Sequence, residues 1–430
     1  TPSYTVFLLQ PEVVGRLGNR RAITPAELRR SAGQIAEKHK DWRIGFMQQI
    51  EDTPEAIGLL VRTEKHRPLS LRRLLIRGSF RDYPSPLAFT VGNTLDQKLL
   101  VRDLDHVPHI LLIGEGSARQ HLISSMLLTL TLLNTPGEFR ILLAGSGSET
   151  YQELAKLPHA LSNRVTGGEE LISTLTGLMA EAQSRLDHFY EEGVNLLQAY
   201  NNRLRDQGKA GLPHILVALD ALTDESLQPF GEQLTPIIHD LLVNGAQVGI
   251  HLALAVNQTS EIPASINGLI NTQIIMRSAS PELGDKVKNW HGSLLRFIDA
   301  FVVERDGQDI TPVELCAVTP SEIKSTVDYW QSVVAQRRPE DQNDAITGRT
   351  RGTGLLTSTP PGAINLPNLL QRCSMLAAYL GWLSIGALRD IFAMSETEAQ
   401  GIIEQLQTAG VIEPGNAPML RFIRLADRPE

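Results

Sequence analysis

Residues able to do chemistry concentrate at two points of the chain. At the first, the apolar run His109–Ile113 leads into Gly114-Glu115-Gly116-Ser117-Ala118-Arg119-Gln120, and a long apolar stretch, Arg119–Leu133, follows. A strand, a glycine-bearing turn and a helix in that order are what a phosphate-binding loop needs. Backbone N–H groups surround the phosphates, a Lys reaches them, and a Ser or Thr hydroxyl holds magnesium. No Gly-Lys-Ser/Thr occurs anywhere in the chain. At the second point, Asp220 closes the apolar run His214–Leu219, where a carboxylate can hold a metal or cap a loop. Each residue also has a plain structural alternative. The turn can be an ordinary strand-to-helix connection, and Arg119 a surface residue or an ion-pair partner of Glu115.

The elements that must position these groups follow from patterning. Phe139–Ala144, His214–Leu219, His251–Val256 and Thr272–Met276 are short continuous apolar runs like His109–Ile113. Helical stretches at Glu169–Glu192, Leu196–Arg205 and Ser226–Asn244 separate them. Buried strands alternating with helices predict a parallel sheet covered on both faces. Three histidines, His109, His214 and His251, adjoin these strands and read as packed rather than catalytic. Residues 1–86 read as a small α+β unit with strands at Tyr4–Leu9 and Ala56–Arg62 and a helix at Ala26–Lys38, closed by Tyr83-Pro84-Ser85-Pro86. The core is expected over 87–336, ending in a helix at Pro320–Gln336. Residues 337–362 have no hydrophobic periodicity and read as a flexible linker. Residues 363–430 read as three short helices and a two-stranded wing, the pattern of a winged helix-turn-helix.

Composition narrows the classes. Of 430 residues, 42% are hydrophobic and 20% charged, which suits packed domains and excludes global disorder. The net charge of −8 argues against a globally basic nucleic-acid binder. Two cysteines, Cys316 and Cys373, make no disulfide framework and point to a reducing compartment. No apolar stretch approaches the roughly 20 residues of a membrane helix. The expected location is therefore cytoplasmic, with any membrane attachment supplied by a segment before Thr1.

Taken in order, these segments resemble the motor of the FtsK/SpoIIIE DNA translocases. Pro108-His109 to Gly114 resembles the family's strand entering its phosphate loop. Glu181–Tyr200 with Arg185 resembles its helical insert. Leu212-Pro213-His214 to Asp220 resembles the strand bearing its magnesium carboxylate. Gly249-Ile250-His251 to Ala255 and Gly268-Leu269-Ile270-Asn271 continue the match. Ser384–Pro414 resembles its C-terminal winged-helix (gamma) domain, and Leu69-Ser70-Leu71-Arg72 its N-terminal alpha domain. The resemblance implies a RecA-like P-loop NTPase core, a small α+β N-terminal domain and a C-terminal winged helix. It also implies ATP and magnesium as cofactors and double-stranded DNA as partner.

The departures from that pattern fall on the chemistry. Aligned on the following helix, the loop is one residue short. Arg119 stands for the Lys, Gln120 for the magnesium-binding Ser/Thr, and Ala118 for a Gly. Glu115 adds a negative charge beside the phosphates, at a cost of about 4 kcal/mol at 4 Å for an effective dielectric near 20. After Asp220, the water-polarising Glu reads Ala221. The sensor Gln reads Asn257, and the family's Asp-Pro-Lys reads Gly145-Ser146-Gly147. Phosphoryl transfer is mostly positioning and charge neutralisation, so losing the Lys, the hydroxyl and the Glu together should remove it. In the last unit, Glu398 and Gly401 stand at the family's DNA-facing Arg positions. Residues 363–430 carry five Arg/Lys against seven Asp/Glu, which repels phosphates.

These readings predict a degenerate translocase subunit, inactive as an ATPase by itself and acting as a structural or regulatory member of a ring or DNA-associated assembly, beside itself or an active paralogue. Its nucleotide-site remnant would be Gly114, Gly116, Ser117, Arg119, Gln120, Asp220 and Asn257. Thr397, Gln400, Arg337 and Arg338 are the weak DNA-binding candidates. No catalytic residue and no metal ligand set is assigned. Two alternatives stand beside this: a divergent but active DNA translocase using Arg119, and a protein-binding assembly or secretion ATPase relative whose winged helix meets a protein.

Overall fold

The structure is a computed structural model. It describes residues 85–335 apart from 96–97, 146–148, 221–227, 280, 282, 284–297 and 305–308. Outside that span it describes 5–9, 13–14, 21–22, 43–47, 57–62, 69–71 and 395–410, with a few shorter pieces of both ends. Among the described residues a ten-stranded sheet dominates. Its parallel half runs β10 (Phe139–Ala144), β11 (His214–Leu219), β12 (Ile250–Val256), β9 (His109–Ile113), β13 (Thr272–Met276). Its antiparallel half continues through β14 (Ala300–Glu304), β15 (Asp309–Ala317), β7 (Ala88–Thr94) and β8 (Leu99–Asp103).

The parallel half forms because its strands are apolar on both sides. In β9, Ile110 and Leu112 face one core and Leu111 and Ile113 the other. In β12 the small Ala253 and Ala255 share the first face. There the apolar helix α1 (Gly116–Leu133) lies across the sheet, its residues from Leu122 to Leu133 all buried. The opposite face is covered by α3 (Gly168–Glu191) through Leu171, Leu175 and Leu178, and by α5 (Gly231–Asn244) through Leu234, Ile238 and Leu241. A short helix, α2 (Glu149–Leu154), follows β10, and α4 (Leu197–Asp206) follows α3. The helix α6 (Ala264–Asn267) precedes β13, and α7 (Pro320–Ala335) follows β15. The expected parallel sheet is thus real but makes up only half of the whole. The antiparallel strands escape patterning because they carry breakers such as Gly92 and Pro312, each tolerated by its neighbours.

At the N-terminal end, β1 (Thr5–Leu9), β5 (Ile57–Arg62) and β4 (Arg43–Met47) form an antiparallel sheet in the order β1-β5-β4. A two-residue ladder joins β2 (Val13–Val14) and β3 (Arg21–Ala22). The strand β6 (Leu69–Ser70) pairs with β15 instead, and Leu71 is buried in the main core. Near the C-terminus, α8 (Glu396–Thr408) starts at a capping box: Ser395 accepts from the Glu398 backbone, and the Glu398 carboxylate accepts from the Ser395 backbone. A two-residue ladder pairs β16 (Ile412–Glu413) with β17 (Arg424–Leu425). The first two of the three short helices expected over 363–430 lie largely outside the described residues, and Arg337 and Arg338 lie wholly outside them. No helix among the described residues is long and apolar enough to cross a membrane.

Candidate nucleotide-site remnant

The C-terminal ends of the parallel strands share one edge of the sheet, the place where open α/β folds bind ligands. Gly114 follows β9, Gly145 follows β10, Asp220 follows β11 and Asn257 follows β12. Gly114 sits at φ +131° and Gly145 at φ +136°, conformations other residues rarely adopt. A Cβ on Gly114 would come within 2.5 Å of the Met276 Cβ, so glycine is required there.

Arg119 turns inward from the first turn of α1 and is buried, with 6% of its surface exposed. Its Nε donates to Asp220 Oδ1 at 3.0 Å. Its Nη1 donates to Asn257 Oδ1 at 2.7 Å and also to the Gly114 carbonyl oxygen. The second oxygen of Asp220 accepts from the Tyr151 hydroxyl on α2 at 2.8 Å. Burial, reinforced by the neighbouring Asp220, raises the Tyr151 pKa well above the usual phenol value, so the hydroxyl keeps its proton and donates. Asp220 therefore has both oxygens engaged by side chains of this chain.

The structure thus gathers Gly114, Arg119, Asp220 and Asn257 as the sequence suggested. It overturns the surface reading of Arg119 and its pairing with Glu115: the partner carboxylate is Asp220, and Glu115 is exposed. Gly116 and Gln120 are half-buried, and Ser117 points to solvent. The Glu115 backbone N–H donates to Ser278 Oγ at 3.1 Å, so one donor of the turn is held from within. Ala221, Ser146 and Gly147 lie outside the described residues. Tyr151 was missed. It lies in a short helix with no motif around it, and only the fold brings it across to Asp220. A cavity of about 490 Å³ opens on the β13 and β15 side, lined by Glu115, His121, Arg277, Ser278, Asp299 and Glu314. Neither Arg119 nor Asp220 lines it.

At the opposite edge, the three histidines are packed, as expected. His109 Nδ1 accepts from the Leu252 backbone at 3.2 Å. His214 and His251 stack with ring nitrogens 3.1 Å apart. Burial lowers the pKa of His109 and of His214 to about 4, and it holds that of His251 well below the ordinary imidazole value. Arg185 is also buried there, paired with Glu181 at 2.8 Å and donating to the Pro213 and Val248 carbonyls. On α8, Thr397 is exposed and Gln400 donates to Glu404 within its own helix.

A parallel α/β core with a glycine-bearing turn after β9 and an acid at the end of β11, with β12 between the two, defines a P-loop ATPase-type fold. The chain belongs to the FtsK/SpoIIIE family, whose family model matches residues 70–287. It is 24% identical over 371 residues to the DNA translocase FtsK of Helicobacter pylori strain J99, covering 84% of this chain and 42% of that protein. It is 23% identical over 378 residues to the DNA translocase FtsK of Campylobacter jejuni strain 81-176, covering 86% and 39%. The chain therefore spans about two-fifths of the length of these relatives. Among solved structures, the pCW3 conjugation coupling protein TcpA in its monomer form with ATPγS matches with a TM-score of 0.51 at 15% identity, covering 77% of this chain and 94% of that one. ATPases 2 and 3 of Thermomonospora curvata EccC match with a TM-score of 0.47 at 25% identity, covering 58% and 48%.

Membership of this P-loop ATPase family implies the use of nucleotide and magnesium in general. The residues at this site fit that pair poorly. By the resemblance drawn from the sequence, Arg119 and Gln120 stand at the Lys and Ser/Thr positions, and here the Asp220 carboxylate is held by a guanidinium and a phenol. Among the described residues, Arg119, Asp220, Asn257 and Tyr151 are hydrogen-bonded to one another at this edge.

Proposed function

We propose that this chain is an FtsK/SpoIIIE-type motor subunit whose nucleotide site is filled from within. On this reading it does not hydrolyse ATP alone and serves as a structural or regulatory member of a ring or DNA-associated assembly, beside copies of itself or an active relative. The observation that carries the reading is the buried contact of Arg119 with Asp220. A guanidinium sits where an ammonium and a magnesium ion would divide the work, and its planar fork is committed to three acceptors.

Magnitudes favour this. Separating a buried ion pair costs about 3–5 kcal/mol when a partner is left uncompensated. At 1.4 kcal/mol per tenfold, that weakens binding by roughly two to four orders of magnitude, from micromolar towards millimolar. Calorimetry with ATP and ADP in the presence of magnesium tests it. No heat is expected below millimolar nucleotide, and micromolar binding would overturn the proposal.

The rival is a working translocase that uses Arg119. Retention of Asp220 at the strand end favours it. It requires duplex-DNA-stimulated, magnesium-dependent ATPase activity that Asp220→Ala abolishes. A third reading, a protein-binding role for the C-terminal unit, is favoured by the outward face of α8. Glu396, Glu398 and Glu404 are exposed there, and the helix carries no Lys or Arg. Salt-sensitive DNA binding through residues 363–430 would count against it.

A further inference from the structure

The helix α7 has two occupied faces. Trp330, 1% exposed, donates its indole N–H to the Thr131 carbonyl of α1 at 3.3 Å and meets His159 edge to face at 4.7 Å. This face belongs to the motor core. Tyr329, one residue earlier, is turned about 100° round the helix. Its hydroxyl donates to Ser374 Oγ at 2.8 Å, 45 positions along the chain. Ser374 is 7% exposed and Cys373 is fully buried.

The contact is broader than one hydrogen bond. Leu370, Cys373, Leu376, Ala399, Ile403 and Leu406 fall in the same continuous buried cluster as Trp330, Val327 and the apolar side of α1. A module swinging on a tether would keep a core of its own, separated by water from the motor. Two hydroxyls buried against each other also specify one register. Either left alone in that position carries the penalty of an unsatisfied buried polar group. Burial keeps the Tyr329 phenol protonated by raising its pKa, against the opposing effect of its hydrogen bond with Ser374.

We propose that the C-terminal unit is a docked part of the motor body, seated on the outer face of α7 with Tyr329 and Ser374 fixing its register, rather than a tethered reader. The α8 face bearing Thr397 and Glu404 is then presented in one orientation relative to the sheet. This stands independently of whether nucleotide binds.

The test uses the full chain with a protease recognition sequence inserted between residues 348 and 349. After cutting, confirmed on a denaturing gel, the two pieces are expected to elute together in gel filtration. Their separation would overturn the proposal. Tyr329→Phe and Ser374→Ala should each weaken retention of the smaller piece roughly tenfold on dilution, and the double variant should be less impaired than the product of the two. Single variants that retain the piece like the parent chain would remove the register role. Small-angle scattering of the uncut chain gives a second readout. One compact body of 430 residues has a radius of gyration of about 22 Å, and Tyr329→Asp should raise it while the circular dichroism spectrum is kept. A parent chain already as extended as the Tyr329→Asp variant would also overturn the docking.

Discussion

Arg119 and Asp220, 101 positions apart, meet at 3.0 Å across the mouth of the parallel sheet, each side chain under a tenth exposed. The pair has further partners: Asn257 and the Gly114 carbonyl accept from Nη1 of the guanidinium, and the Tyr151 hydroxyl donates to the other carboxylate oxygen. A buried ion pair is tolerable when its remaining hydrogen-bonding capacity is met this way.

Arg119→Ala leaves the Asp220 carboxylate buried without its counter-charge, and is expected to lower the unfolding free energy by about 3–5 kcal/mol. Asp220→Asn strands the guanidinium and should cost a similar amount. The double variant should lose clearly less than the two single losses together, because each single change leaves an uncompensated charge that the double change removes. Urea denaturation of the four proteins measures this, and strictly additive losses would refute the coupling.

Tyr151→Phe removes one hydrogen bond while keeping the ring, and leaves Asp220 Oδ2 without that donor. A loss of about 1–3 kcal/mol is expected, smaller than that of Arg119→Ala. A Tyr151→Phe variant with unchanged stability would mean that the hydroxyl contributes nothing to holding Asp220.

The buried histidines set the acid limit. His109 and His214 have folded pKa values of about 4, below their unfolded value near 6.5, with desolvation as the first cause. The unfolded chain therefore binds more protons than the folded one between these values, and stability rises with pH. The contribution is complete above about pH 6.5 and is lost as pH falls towards 4. For His214 alone it amounts to on the order of 3 kcal/mol at about 1.4 kcal/mol per unit. Denaturation midpoints measured from pH 7 to pH 4 should fall, and His214→Gln should flatten the fall. A flat profile for the parent chain would contradict the burial.

Two glycines should respond with opposite sign. Gly114→Ala forces φ +131° on a residue with a Cβ and drives that atom into Met276, so a loss of about 1–3 kcal/mol is expected. Gly177 lies inside α3 with nothing within 4 Å of an added Cβ. Gly177→Ala should raise stability by about 0.5–1 kcal/mol. Thermal denaturation checks both, and a stabilised Gly114→Ala would mean the turn is not held as described.

Much of this protein was already determined by local chemistry. Strands that are apolar on both sides, such as His109–Ile113 and Thr272–Met276, mark themselves as the centre of a parallel sheet. The longer stretches between them, such as Arg119–Leu133 and Glu169–Glu192, mark themselves as helices by length and composition. The order of these segments placed Gly114, Asp220 and Asn257 at strand ends, and Arg119 at the start of the helix that follows Gly114. The antiparallel half needed the tertiary structure. In β7, a Cβ on Gly92 would run into the Glu314 backbone, so that glycine records a neighbour more than 200 positions away. In β15, Pro312 sits opposite Phe301, where local rules read a strand breaker. The fate of Arg119 was decided in the same way. Its sequence neighbours offer Glu115, one helical turn away, as partner. The sheet offers Asp220, Asn257 and a dry pocket, and a guanidinium removed from water takes the site that satisfies most of its donors. Tyr151 belongs wholly to that second category, because nothing within Glu149–Leu154 encodes a hydrogen bond to a carboxylate that only the fold carries to it.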